Sequence, residues 1–205
     1  MSLDYPFISP ECYVDTNLIE HLIHGSVNHQ HSCNKVVGTI RGRFRNRFAI
    51  GIVDLDKKPV GYLEECETIA SSTHLSVLRH REEPHYMITI NPAVDQFLLD
   101  CAVEQNISPE AFGFPSKLEE FISRTKTATS NKDQNIRRLI VAISGNKELC
   151  LMQNTLMYLK ANTYSSSPNA IKEIWSQPSG FKYPRRRPRV HKTADQRRGR
   201  ARHDR

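Results

Sequence analysis

The most apolar strand-like run in the chain is "RFAIGIVDLD" at residues 47–56, bounded by arginine on one side and aspartates on the other. An unbroken β-branched run of this length fits a strand covered on both faces. Shorter runs of the same kind are "CYV" at 12–14, "NKVVGTI" at 34–40, "HLSVLRHR" at 74–81 and "HYMITIN" at 85–91. Helical spacing lies between them. The first run breaks at Asp15-Thr16-Asn17 into an amphipathic segment that stops at Gly25, and "GYLEECETIA" at 61–70 reads as a helix after the central strand. In "PAVDQFLLDCAVEQN" at 92–106, Val94, Phe97, Leu98 and Cys101 share one helical face and Pro92 suits a first turn.

This alternation continues to about residue 107 and predicts an α/β fold with a largely parallel sheet flanked by helices. From "PSKLEEFISRTK" onward the spacing is helical only, until "SSSPN" at 165–169 opens a tail region. The expected division is an α/β domain over 1–110, a helical extension of that domain over 111–175, and a disordered basic tail over 176–205.

Charge sharpens that division. The chain of 205 residues has 29 Lys and Arg, 22 Asp and Glu, and a net charge of +7. Residues 181–205 contain eleven of the basic residues and two of the acidic ones, a net of +9, so positions 1–180 carry −2. A tail rich in Arg and Pro, with little to bury, is expected to stay disordered and to meet phosphate backbones without reading sequence, Arg185, Arg186 and Arg187 among the contacts. The alternative is a solvated tail with no specific partner. With 38% apolar residues and no apolar run near the ~18 that argue for a membrane span, a protein with no membrane association is expected. "MSLDYPFISPECYV" lacks the pattern of a secretion signal, which makes a cytoplasmic location the expectation. The five cysteines are odd in number and form no CxxC pair, so they read as reduced thiols.

The candidate chemistry is carboxylate chemistry. In an open α/β sheet, ligands gather at the carboxyl ends of the strands. Asp15 follows the first predicted strand, Asp54 and Asp56 close the central one, and Asp95 opens the helix after "MITIN". Asp54 and Asp56 lie two apart, which in extended backbone points both to one face, and a hard divalent cation, Mg2+ or Mn2+, would relieve their repulsion. The competing reading gives Asp54 a turn and makes Asp56 a helix cap. In "RGRFRNR", Arg41, Arg43, Arg45 and Arg47 alternate along a predicted strand, which would line four guanidinium groups beside the acids as a guide for nucleic acid, or keep an edge strand soluble. "HLIHGSVNHQHSC" at 21–33 fits no zinc spacing, and its histidines are expected to be solvated loop residues.

"CYVDTNLIEHL", "AIGIVDLD" and "HYMITINPAVDQFLL" together resemble the Toprim domain of topoisomerases, primases and OLD-type nucleases, including Toprim-like proteins of bacterial defence and restriction loci. The likeness covers roughly residues 11–105. It implies a Mg2+-dependent nuclease, DNA or RNA as substrate and an ABC-type ATPase as partner. Asp15, standing where that family has glutamate, would be general acid/base or metal ligand; Asp54 and Asp56 would bind metal, and Asp95 would complete the site. "YVDTNLIEHLI" is also similar to the opening of PIN-domain ribonucleases, in which Asp15 and Asn17 would serve a metal site with later acids such as Glu119 or Asp133. A third reading is a catalytically silent subunit that docks on an ATPase or nucleic-acid complex.

The tail generates a first prediction. Deleting residues 181–205 should weaken nucleic-acid binding at low salt and flatten the slope of log affinity against log salt. Filter-binding or anisotropy titrations at several salt concentrations measure this, and an unchanged slope would show that the tail is not the contact.

Overall fold

The central strand β2 (Ala49–Asp54) is buried through Val53, and its two faces serve two different cores. Ala49 and Val53 turn to one side, Ile50 and Ile52 to the other, as the two-residue period of a strand requires. The computed structural model describes residues 4–55, 61–127 and 130–177, and within them β2 is one of five strands. The others are β1 (Ile8–Pro10), β3 (Cys66–Ser71), β4 (Leu75–His80) and β5 (His85–Ile90), in the order β1-β2-β5-β4-β3. β1, β2 and β5 run parallel, whereas β5, β4 and β3 form an antiparallel meander. The fold is thus α/β with a mixed sheet, half of its pairings antiparallel.

Helix α1 (Tyr13–Ile23) and helix α2 (Cys33–Arg43) connect β1 to β2. Val36, Val37 and Ile40 of α2, with Phe44 just beyond it, cover Ala49, Val53 and Met87 on one face of the sheet. Gly51 permits that approach, because a Cβ there would stand 2.6 Å from Met87 Cε and 2.7 Å from Ile40 Cδ1. The opposite face is covered by α1, α3 (Val94–Glu104), α4 (Leu118–Thr125), α5 (Gln134–Ala142), α6 (Lys147–Asn162) and α7 (Pro168–Ser176). The helical segment after residue 111 shares the larger core with the sheet, since Phe121, Leu139, Leu156 and Ile171 pack in one cluster with Ile50 and Ile88.

Several expectations are corrected. The first strand lies at 8–10, so Cys12 is the N-cap of α1 and "CYV" enters the helix. "NKVVGTI" is helical: Ser32 caps Lys35 N, and the β-branched residues form one helical face. Arg41 and Arg43 therefore end α2, while Arg45 and Arg47 follow in a turn, so the four do not alternate along a strand. All four are exposed at the amino end of β2, about 16 Å from Asp54 at ~3.3 Å per residue, and so not beside the acids. "GYLEECETIA" splits into a 3-10 turn at Gly61–Glu65 and strand β3, which is why the chain returns by hairpins where a helical crossover was expected. "SSSPN" starts α7, with Ser167 at the N-cap and Ile171 and Ile174 buried beyond it. The expected tail start at 176 is still the end of α7, and Asp56 and the tail from 178 on, with Arg185, Arg186 and Arg187, lie outside the described residues. Among the described residues no helix is long and apolar enough to cross a membrane.

A charged clamp ties the meander to the helices. His74, in the turn between β3 and β4, places Nδ1 2.5 Å from Glu148 Oε2 on α6 and Nε2 3.0 Å from Asp100 Oδ2 on α3. Burial alone would lower the His74 pKa, but its two carboxylate partners raise it above the ordinary value of 6.5. Burial likewise works to raise Glu148, and hydrogen bonds from Ser72 and His74 prevail and hold it below 4.5. The histidine's contribution is complete below its ordinary pKa and is lost as pH rises through the raised one. The glutamate's is complete above its ordinary pKa and lost as pH falls through the lowered one. The clamp is at full strength between 4.5 and 6.5. His74→Gln should therefore destabilise by about 2 kcal/mol at pH 6 and by clearly less at pH 9.5, as urea unfolding would measure; an equal loss at both pH values would contradict a charged clamp.

Candidate functional site

Parallel register levels the carboxyl ends of β2 and β5, with Asp54 opposite Ile90, and β1 ends two residues earlier, with Pro10 opposite Ile52. The residues that follow those ends meet around a crevice of about 310 Å³. Glu11 and Cys12 come from the end of β1, Asp54 from β2, Asp95 from the first turn of α3, and Thr125 and Lys126 from the end of α4. Asp15 lies behind the crevice, fully buried at the third position of α1.

The carboxylates are held by donors from neighbouring segments. Asp54 N donates to Glu11 Oε2 at 3.2 Å, and Val94 N donates to Asp54 Oδ1 at 3.1 Å. Thr125 Oγ1 donates to Asp95 Oδ1 at 2.7 Å. Asp15 completes a capping box in which Cys12 N donates to Asp15 Oδ2 at 3.0 Å and Asp15 N approaches Cys12 Sγ at 3.3 Å. The first turns of α1 and α3 both begin here, and their unpaired N–H groups favour negative charge.

Crowded burial of like charges shifts the protons. Burial pushes Asp15 up to about 7; its hydrogen bonds with Cys12 oppose this, and the charges of Glu11 and Asp95 add to it. Its Oδ1 is buried with no hydrogen-bond partner among the described residues. Burial, with Asp15 and Asp54 nearby, also raises the Cys12 thiol well above its usual range. Cys12 is therefore a poor nucleophile at neutral pH.

Of the four predicted acids, Asp54 and Asp95 line the crevice, Asp15 stands behind it, and Asp56 lies outside the described residues. Among the described residues, no three His, Cys, Asp or Glu side chains stand close enough together to hold a metal ion. A donor set of this kind suits a hydrated hard cation bound through one or two carboxylates and waters, as Mg2+ is. Among the described lining residues the acids Glu11, Asp54 and Asp95 outnumber the cation Lys126, an excess of negative charge that a cation would offset. Glu11 and His31 also line the crevice and were missed by sequence reasoning. Placing the first strand four residues too late hid Glu11, and the histidine run carried no metal-ligand spacing.

Asn17 is engaged elsewhere. Its Nδ2 donates to the carbonyls of Ser130 and Asp133, and its Oδ1 accepts from Arg137 Nε, so it joins α1 to the start of α5. Asp133 caps α5, while Glu119 is exposed on α4. The charges that act on Asp15 are those of Glu11 and Asp95. Comparison of the chain with protein-family models, with curated proteins and with solved structures finds no match.

A carboxyl raised in the folded state binds its proton more tightly there, so its contribution to stability falls as pH rises from 3.8 to about 7. Asp15→Asn keeps an oxygen to accept from Cys12 N and supplies an amide to the neighbouring acids. The variant should melt higher than wild type at pH 8 and lose much of the decline between pH 4 and 7, as thermal unfolding across pH would record. A variant that melts lower at pH 8 would contradict the raised pKa.

Proposed function

We propose that the crevice is the active site of a divalent-metal-dependent phosphodiesterase that hydrolyses nucleic acid, built on a Toprim-like arrangement. The observation that carries the reading is the convergence of Glu11, Asp15, Asp54 and Asp95, from three separate segments, on the carboxyl ends of three parallel strands. One or two of the carboxylates of Glu11, Asp54 and Asp95 would hold the cation, with waters completing its shell and Asp56 following on the chain. The cation, Mg2+ or Mn2+, supplies polarisation of a phosphoryl oxygen and charge neutralisation of the pentavalent transition state. Lys126 offers a point charge for a non-bridging oxygen, and Asp15, raised to about 7, exchanges a proton beside the acids near neutral pH. The PIN-like reading draws less support, because Asn17 is committed to the α1–α5 junction.

Nucleic acid, DNA or RNA, is the proposed partner, with the basic tail adding affinity. A role in bacterial defence beside an ABC-type ATPase rests on the Toprim-like resemblance alone.

The test is cleavage of supercoiled plasmid and single-stranded RNA with Mg2+ or Mn2+, alone and with a candidate ATPase. Asp54→Asn and Asp95→Asn preserve size and an acceptor oxygen, so the fold should stand while activity falls by at least about 100-fold. Equal background cleavage by wild type and both variants, with no effect of metal on melting temperature, would replace the proposal with the silent-subunit reading.

A further inference from the structure

The loop between α1 and α2 is fastened along β1. Asn28 N donates to Ile8 O and Gln30 N to Pro10 O, both at 2.9 Å, and Thr39 Oγ1 on α2 donates to Gln30 Oε1 at 3.0 Å. These bonds deliver His29 and His31 to the carboxyl end of the sheet; both lie in a loop, where His31 is exposed as expected and His29 is half-buried. The His29 ring stacks on Tyr13 with centroids 4.2 Å apart, and His31 meets the His29 ring edge-on at 4.7 Å.

Hydrogen-bond directions fix the tautomers. Thr16 Oγ1 spends its single proton on Cys12 O at 2.8 Å, so at its 2.8 Å contact with His29 Nδ1 it must accept. His29 thus carries its proton on Nδ1. Burial and the neighbouring His31 charge lower the His29 pKa, which keeps that ring neutral and its Nε2 an acceptor. His29 Nε2 stands 3.3 Å from His31 Nδ1, which must therefore donate. The neutral His31 ring is left with its lone pair on Nε2. His31 is exposed and lines the crevice.

We propose that His31 is the general base of this site and that His29, held by Thr16, is the residue that positions it. The assignment rests on the phosphodiesterase reading above. In the step, His31 Nε2 takes a proton from water as the water oxygen bonds to phosphorus. The bond from phosphorus to the leaving oxygen breaks, that oxygen takes a proton from solvent, and His31 later returns its own proton to solvent. Glu11, Asp54, Asp95 and Lys126 line the same crevice as His31. Cys12, its thiol raised by burial, adds no charge at neutral pH. The imidazolium keeps its Nδ1–H bond to neutral His29, so the relay needs no second proton transfer.

Two measurements on the full chain test this. In long-range 1H–15N spectra at pH 8, His31 should show the Nδ1–H tautomer; an Nε2–H tautomer would overturn the proposal whatever the activity. In cleavage assays with Mg2+ or Mn2+, His31→Asn should lower kcat by about 100-fold or more with KM little changed, and remove the acid limb of the pH profile. His29→Phe keeps the stack on Tyr13 but removes the acceptor, so it should retain the acid limb and move it to lower pH, a shift that a purely structural role would not produce. An unchanged acid limb in His31→Asn, with wild type active, would overturn this assignment and leave the phosphodiesterase reading standing. A wild type inactive with every metal and substrate would overturn both.

Discussion

Parallel pairing of β1, β2 and β5 brings three strand ends within two residues of one level, and the candidate site follows from what is tied together there. Glu11 accepts from the backbone of Asp54, Asp54 from the backbone of Val94, and Asp95 from the hydroxyl of Thr125. Each acid thus joins the terminus of one element to the terminus of another. The bonds hold like charges in one place, and helix N-termini offset part of the repulsion. An acid in this ring is both a structural tie and a potential ligand.

The molecule has a chemical polarity along its strands. At the carboxyl end stand the acids, Lys126 and the paired histidines; at the amino end stand Arg41 and Arg45 with Tyr62, His80 and His85. Arg41 is already engaged there, lying over the Tyr62 ring and 3.9 Å from Glu65.

Much of the sheet was legible in the sequence because burial leaves its mark on residue type. β2, β4, β5 and α3 fall where their apolar periods put them, and Asp54 and Asp95 were found because they sit where those elements end and begin. β1 was misplaced because three residues, one of them proline, carry almost no periodicity. α2 was misread because Val36, Val37 and Ile40 are β-branched, while the helical face they form is defined only by packing against β2. Glu11 and the His29–His31 pair were not legible at all. Their roles come from hydrogen bonds to residues distant in sequence, and no local pattern encodes a loop fastened along a strand.

Cation binding at this ring of acids can be measured directly, without reference to activity, by anomalous diffraction from crystals grown with Mn2+. A hydrated divalent cation held there gives a peak in the crevice bounded by Glu11, Asp54 and Asp95, lost in Asp54→Asn crystals grown under the same conditions. Mn2+ bound only at other sites, with the crevice carboxylates still on their protein donors and no peak between them, would contradict cation binding at this site.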